Sequence, residues 1–351
     1  MNFTSVASFR KLRIAVLAPV AWRCPPRHYG PWEQIAWSTA EGLYEAGHEV
    51  TLFATGDSIT QAKLDAVCPK SWEEDKSIDP KVAECLHISN LMSKANQFDI
   101  IHNHFDFLPL TYARLIRTPM VTTIHGFSSP KIVTVYENCA SFSHYISISN
   151  SNRHPTLPYM ATVYNGIEVC NFPFFGNPDS YALFFGRIHP EKGLLEAIKI
   201  CEIAKIPLNA AGIIQDTGYF ENKIKPYITR GSVRYLGHIG PDTKAALLGN
   251  AYCLLHPISF DEPFGLSVAE AMCCGTPVIA FNRGSMPELI VNGEIGFLVH
   301  TVSEAANAVK KIHVINRIEC RNHVLCNFSR ERMIKGYLEV YQRILKNKYP
   351  A

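Results

Sequence analysis

The sequence contains no Cys-x-x-Cys pair, no Asp-x-Asp pair and no Gly-x-Gly-x-x-Gly, and its charges almost cancel. Each absence removes a class of protein. Its 11 cysteines lack regular spacing, although Cys273 and Cys274 are adjacent, so neither a zinc-ligand pattern nor a disulfide framework is expected. A reducing cytoplasm fits that usage. Lys and Arg number 34 against 31 Asp and Glu, a formal charge of +3, which is too small for sustained neutralisation of phosphates. No nucleic-acid partner is expected. The missing glycine fingerprint withdraws support from dinucleotide binding and hydride transfer. No segment approaches the ~20 apolar residues of a membrane span, so any membrane contact is expected to be peripheral. The stretch RKLRIAVLAPVAW from Arg10 imitates a signal peptide, but no small-residue cleavage site follows it, and it reads as a buried first strand.

At 351 residues and 47% apolar content, the chain is long enough for two domains of roughly 100–200 residues. Short runs rich in Val, Ile and Phe alternate with helix-like segments: IAVLAP, EVTLFAT, FDIIHN, VTTIHG and YISIS in the first half, then YALFFG, LNAAGI, VRYLG, YCLLHP and PVIAF in the second. This rhythm predicts an α/β chain with two doubly wound parallel sheets covered by helices. Ala36, Ala40 and Leu43 recur at helical spacing, and Gly47 stands where that helix should stop. The rhythm breaks at FPFFGNPDS, residues 172–180, which places the linker there. The expected domains are residues 1–172, residues 173–330, and an amphipathic helix over 331–351 that could pack on either, with Met333, Tyr337, Val340, Tyr341 and Ile344 on one side. Open α/β sheets bind ligands beyond the carboxyl ends of their strands, and two such domains are expected to face one another there across a cleft.

The stretch DEPFGLSVAEAM, residues 261–272, is the most informative. Pro263 and Gly265 delay a helix until about Leu266, which leaves free backbone N–H groups from Gly265 to Val268, a good phosphate site. Glu262 then sits beside the phosphate and Glu270 one turn along. A carboxylate accepts two hydroxyls, so one glutamate suits a sugar ring and the other a ribose; a capped surface helix with an ordinary glutamate is the bland alternative. In GRIHPEKG, residues 186–193, Arg187 and Lys192 stand on a loop at a strand's carboxyl end and together can neutralise a diphosphate without a metal. His125 ends one strand and His102 and His104 end its predecessor. No carboxylate or thiolate spacing supports a metal there, so His125 is read as a ligand to a sugar hydroxyl or the reacting centre, and His102 and His104 as structural. In PRHYGPWE, Gly30 allows a first βα loop to approach a phosphate.

GRIHPEKG followed by DEPFGLSVAEAMCCGTPVIAF resembles the retaining glycosyltransferases of family 4, with the two-Rossmann-domain GT-B fold. The resemblance extends through EAGHEVTLFAT, TTIHG, VYNGI and GSMPELI. It implies that Glu262 holds hydroxyls of the donor sugar and Glu270 the nucleotide ribose. It also implies that Arg187 and Lys192 grip the diphosphate with the backbone of Phe264, Gly265, Leu266 and Ser267, that His125 is the active-site histidine, and that Ile239 borders the base. Many relatives have two glycines where this chain has Gly30 and Pro31. Proline lacks an N–H, which weakens the case for Gly30 as a donor-phosphate contact and leaves service to the acceptor as the alternative for that loop.

The expected activity is metal-independent, cofactor-free, retaining transfer from a nucleotide-diphospho-sugar to a carbohydrate or other hydroxyl. An epimerase or phosphorylase of the same fold and a catalytically silent sugar-nucleotide-binding protein are the alternatives, because fold alone does not choose among them.

Overall fold

A computed structural model describes residues 10–348. The chain divides into two compact units. The first takes the residues up to Ser147, His154–Ala161 and the chain from Ile334; the second takes Ile148–Arg153 and Thr162–Met333.

Among the described residues the first unit holds a seven-stranded sheet, β1 (Arg13–Leu17), β2 (Glu49–Phe53), β3 (Lys63–Asp65), β4 (Ile100–Asn103), β5 (Met120–Ile124), β6 (His144–Ser147) and β7 (Tyr159–Thr162), in the order β3-β2-β1-β4-β5-β6-β7. Neighbours from β3 through β6 run parallel. The near-continuous apolar character of RIAVL and MVTTI follows from that, since a parallel strand is covered on both faces; every residue of β5 is buried. The helix Pro31–Glu45 begins with a proline at its first turn, where no N–H is needed, and ends just before Gly47, whose φ of 91° lets the chain turn into β2.

The second unit holds six parallel strands, β8 (Ala182–Phe185), β9 (Leu208–Ala211), β10 (Arg234–Tyr235), β11 (Cys253–His256), β12 (Val278–Phe281) and β13 (Gly296–Val299), in the order β10-β9-β8-β11-β12-β13. In each sheet the order reverses once, between β1 and β4 and between β8 and β11. Those are the switch points at which the connecting helices part and leave a crevice at the carboxyl ends.

The chain changes units earlier than the proline-rich stretch suggests. Residues 162–172 belong to the second unit. Ile167 forms a parallel bridge with Ser329, and Gly166 lies so close to Arg330 that an added Cβ would stand 2.6 Å from its Cα. The last helix, Arg330–Lys348, leaves Met333 in the second unit and buries Tyr337, Val340, Tyr341 and Ile344 in the first. Residues 349–351 of the expected helix lie outside the described residues.

Candidate active site

The second unit gathers its charged groups at the carboxyl ends of β8 and β11. Arg187 follows β8, and its guanidinium donates to the Gln215 side chain. Lys192 closes the short turn Pro190–Lys192, and Gly193 follows with φ 80°. Only glycine fits at 193: a Cβ there would stand 2.0 Å from the Pro257 carbonyl oxygen. This close approach brings the Lys192 loop against the chain leaving β11, and Lys192 pairs with Glu262. The lysine also lies over the Phe260 ring at 4.7 Å.

Burial alone would raise the Glu262 carboxyl, but its charged neighbours outweigh that and hold it down to about 2. Both His256, whose Nε2 is 3.7 Å from Glu262 Oε2, and Lys192, which pairs with the carboxylate directly, favour its charged form. Burial lowers His256 below the usual histidine range.

Gly265, with φ 94°, caps the helix Leu266–Cys273. The N–H groups of Gly265, Leu266 and Ser267 have no carbonyl behind them, whereas the Val268 N–H, expected to be free, donates to the Gly265 carbonyl at 3.0 Å and closes a tight first turn. Phe264 is buried, and its carbonyl accepts from the Ser285 hydroxyl at 2.6 Å, which fixes the turn ahead of Leu266 and Ser267. Glu270 lies one turn along and pairs with Lys244 of the helix Pro241–Asn250. Lys244 is flanked by the rings of Phe172 and Phe185, at 5.7 and 5.5 Å. Ile239 is half-buried in the loop between β10 and that helix.

The first unit carries His125 directly after β5. It is 6% exposed, stacks on Trp32 with ring centroids 5.7 Å apart, and is held neutral by burial, which lowers it to about 3. Gly30 precedes the helix Pro31–Glu45 with φ 147°; a Cβ there would meet Pro26 at 2.9 Å and the Glu33 carboxylate at 3.1 Å. Glu33 accepts from the Trp22 N–H at 3.2 Å, and burial raises its carboxyl to about 7. This carboxyl fastens the first βα loop.

The structure therefore groups Arg187, Lys192, Glu262, Phe264, Gly265, Leu266, Ser267, Glu270 and Ile239 in the second unit, and Gly30 and His125 in the first. Sequence reading passed over Lys244, His256 and Glu33. His256 ends its strand as His125 does, and that was the available signal; nothing in the spacing marks Lys244 as the partner of Glu270. Among the described residues no group of three or more His, Cys, Asp or Glu is placed to hold a metal ion, and no helix is long and apolar enough to cross a membrane. All 11 cysteines are free thiols.

Two parallel-sheet Rossmann-like units with this edge chemistry define the GT-B glycosyltransferase fold. Sucrose-phosphate synthase from Thermosynechococcus elongatus superposes with a TM-score of 0.76 at 19% identity, covering 96% of this chain and all of that one. Anabaena HepE in complex with UDP-glucose gives 0.69 at 17% identity, over 95% of this chain and all of that one. The chain belongs to the group 1 glycosyltransferases: residues 173–332 match the family described as glycosyl transferases group 1, and residues 33–168 match glycosyltransferase family 4. An uncharacterised glycosyltransferase of Methanocaldococcus jannaschii is 25% identical, over 90% of this chain and 93% of the relative.

Proposed function

We propose that this glycosyltransferase transfers a sugar from a nucleoside-diphosphate sugar to a hydroxyl with retention at the anomeric carbon, without a metal ion or other cofactor, in the cytoplasm. The observation that carries the reading is the arrangement around the helix Leu266–Cys273: a free N-terminus, Arg187 and Lys192 on the neighbouring strand's loop, and a carboxylate on either side of the helix start. The UDP-glucose complex of the Anabaena neighbour supports a nucleotide sugar as donor.

In this reading the diphosphate lies on the helix N-terminus, with the N–H groups of Gly265, Leu266 and Ser267 and the cations Arg187 and Lys192 against its oxygens. Glu262 accepts donor-sugar hydroxyls, Glu270 the ribose hydroxyls, and Ile239 borders the base. His125 contacts the sugar, and Gly30 belongs to the loop that meets the acceptor. As the bond from the anomeric carbon to the diphosphate oxygen breaks, negative charge grows on the leaving group and is met by donors already in place. The acceptor oxygen bonds to the same face of that carbon, and its proton passes to the leaving phosphate oxygen. No carboxylate nucleophile is assigned, so retention comes from attack on the face the diphosphate leaves.

A nucleoside-diphosphate release screen over UDP-, ADP- and GDP-sugars tests the reading, followed by acceptor screening and determination of product configuration. Release from one donor and an anomer matching that donor are expected; an inverted product overturns the mechanism.

A further inference from the structure

His125 is backed by a line of buried rings within the first unit. His102 and His104 are two residues apart on β4 and its extension, so they share one face of the sheet. Thr123 and His125 share that face on β5, which pairs in parallel register with β4. His102 is fixed at both nitrogens, Nδ1 to the Tyr341 hydroxyl at 2.6 Å and Nε2 to the Thr123 hydroxyl at 2.7 Å. Its ring lies 4.1 Å from that of His104. His104 in turn places Nδ1 2.9 Å from Nε2 of His125. Burial keeps all three rings neutral near pH 7.

One proton must lie between His104 and His125, and the other nitrogen of His104 decides whose it is. His104 Nε2 is sealed from solvent and has no partner. If His125 donated, His104 would carry its own proton on that nitrogen, a buried N–H with nothing to accept it. If His104 donates, the same nitrogen is a bare lone pair. Orphaned buried donors are the rarer and costlier of the two. The proton therefore sits on His104 Nδ1, and His125 must carry its own on Nδ1, because the hydrogen bond at one imidazole nitrogen sets the state of the other. That Nδ1 has no partner among the described residues and is not among the sealed atoms.

We propose that His104 is a positioning residue that locks His125 as its Nδ1–H tautomer, so that His125 presents a hydrogen-bond donor, and not an acceptor, to a hydroxyl of the donor sugar. This rests on the assignment of His125 to the sugar made above.

The full chain labelled with 15N-histidine reports tautomers directly by NMR. Wild type should show His125 protonated at Nδ1. Asn and Asp are near-isosteric, and each sets a side-chain atom close to the position of His104 Nδ1, so they separate donor from acceptor. His104→Asn should keep the Nδ1–H tautomer and hold turnover within about threefold. His104→Asp should move the proton to Nε2 and lower turnover about tenfold or more, with nucleoside-diphosphate affinity unchanged. UDP-glucose, ADP-glucose and GDP-glucose serve as probes, the fastest-cleaved being used for kinetics. Should the buried carboxylate unfold the protein, His104→Leu supplies the comparison, with a mixed tautomer and the same loss. An Nε2–H signal for His125 in wild type, or equal turnover for the Asn and Asp variants, overturns the proposal. His125→Ala separates the two readings. Full turnover in that variant removes His125 from the reaction, whereas impaired turnover alongside a tautomer mismatch removes only the role of His104.

Discussion

Lys244 and Glu270 meet at 2.5 Å through Nζ and Oε1, the lysine from the helix ahead of β11 and the glutamate from the helix behind it. The pair holds one carboxylate oxygen and leaves Oε2 without a partner among the described residues. A ribose hydroxyl can donate to that oxygen while Lys244 stays in place. Glu270→Ala is thus expected to weaken binding of the free nucleoside diphosphate roughly 10–100-fold, the loss of a charge-assisted hydrogen-bonded contact. Glu262→Ala should leave that affinity within about threefold and depress transfer. Titration calorimetry with the diphosphate decides; a larger loss for the Glu262 variant reverses the two roles.

Metal dependence follows from Arg187 and Lys192. If these cations and the helix N–H groups meet the leaving diphosphate, donor cleavage should continue at close to its full rate in excess EDTA. Collapse of the rate in chelator, with recovery on adding magnesium or manganese, counts against the assignment.

Glu33 makes stability depend on pH. Its carboxyl is raised in the folded state to about 7 from an ordinary value of 4.5, so between those values the folded chain binds more protons than the unfolded chain. Stability is then greatest below about pH 4.5 as far as this group is concerned, and falls as pH rises toward 7, by roughly 2–4 kcal/mol in total. Glu33→Gln keeps an acceptor for the Trp22 N–H and removes the titration. Urea unfolding at pH 5 and pH 7.5 should give a smaller difference in the variant than in wild type. An equal difference would mean that Glu33 ionises normally.

Gly193→Ala tests the close approach that seats Lys192. The backbone is left-handed there and the new methyl would collide with the Pro257 carbonyl, so a loss of at least about 2 kcal/mol is expected. Diphosphate affinity should fall with it, since Lys192 moves with the loop. A variant with unchanged melting temperature and affinity would show that the loop can relax without cost.

The strands were legible because parallel strands buried on both faces leave apolar runs such as IAVL and CLLH, and the helix start at Leu266 because Pro263 and Gly265 forbid an earlier one. Partnerships were much less legible. Glu270 stood out from its spacing to Glu262, but Lys244 reaches it from another helix, and no local pattern records a contact across 26 positions. His104 reads as a packed histidine from sequence, and its bond to His125 emerges only from the register of β4 on β5. The changeover between units was misread because FPFFGNPDS looks like a linker, whereas Ile167 and Gly166 are already committed to Ser329 and Arg330.

The placement of Tyr337 and Tyr341 has a consequence for biogenesis. The ribosome completes every strand of the first unit before it makes these two tyrosines, yet Tyr341 supplies the hydroxyl for His102 Nδ1, and both rings are buried in that unit. The first unit is therefore completed only after every strand of the second has been made. Until the helix Arg330–Lys348 emerges, the nascent first unit carries His102 with one nitrogen unmatched and an apolar face uncovered. A translation product that stops near residue 330 has every strand of both sheets and still exposes this surface to chaperones and proteases.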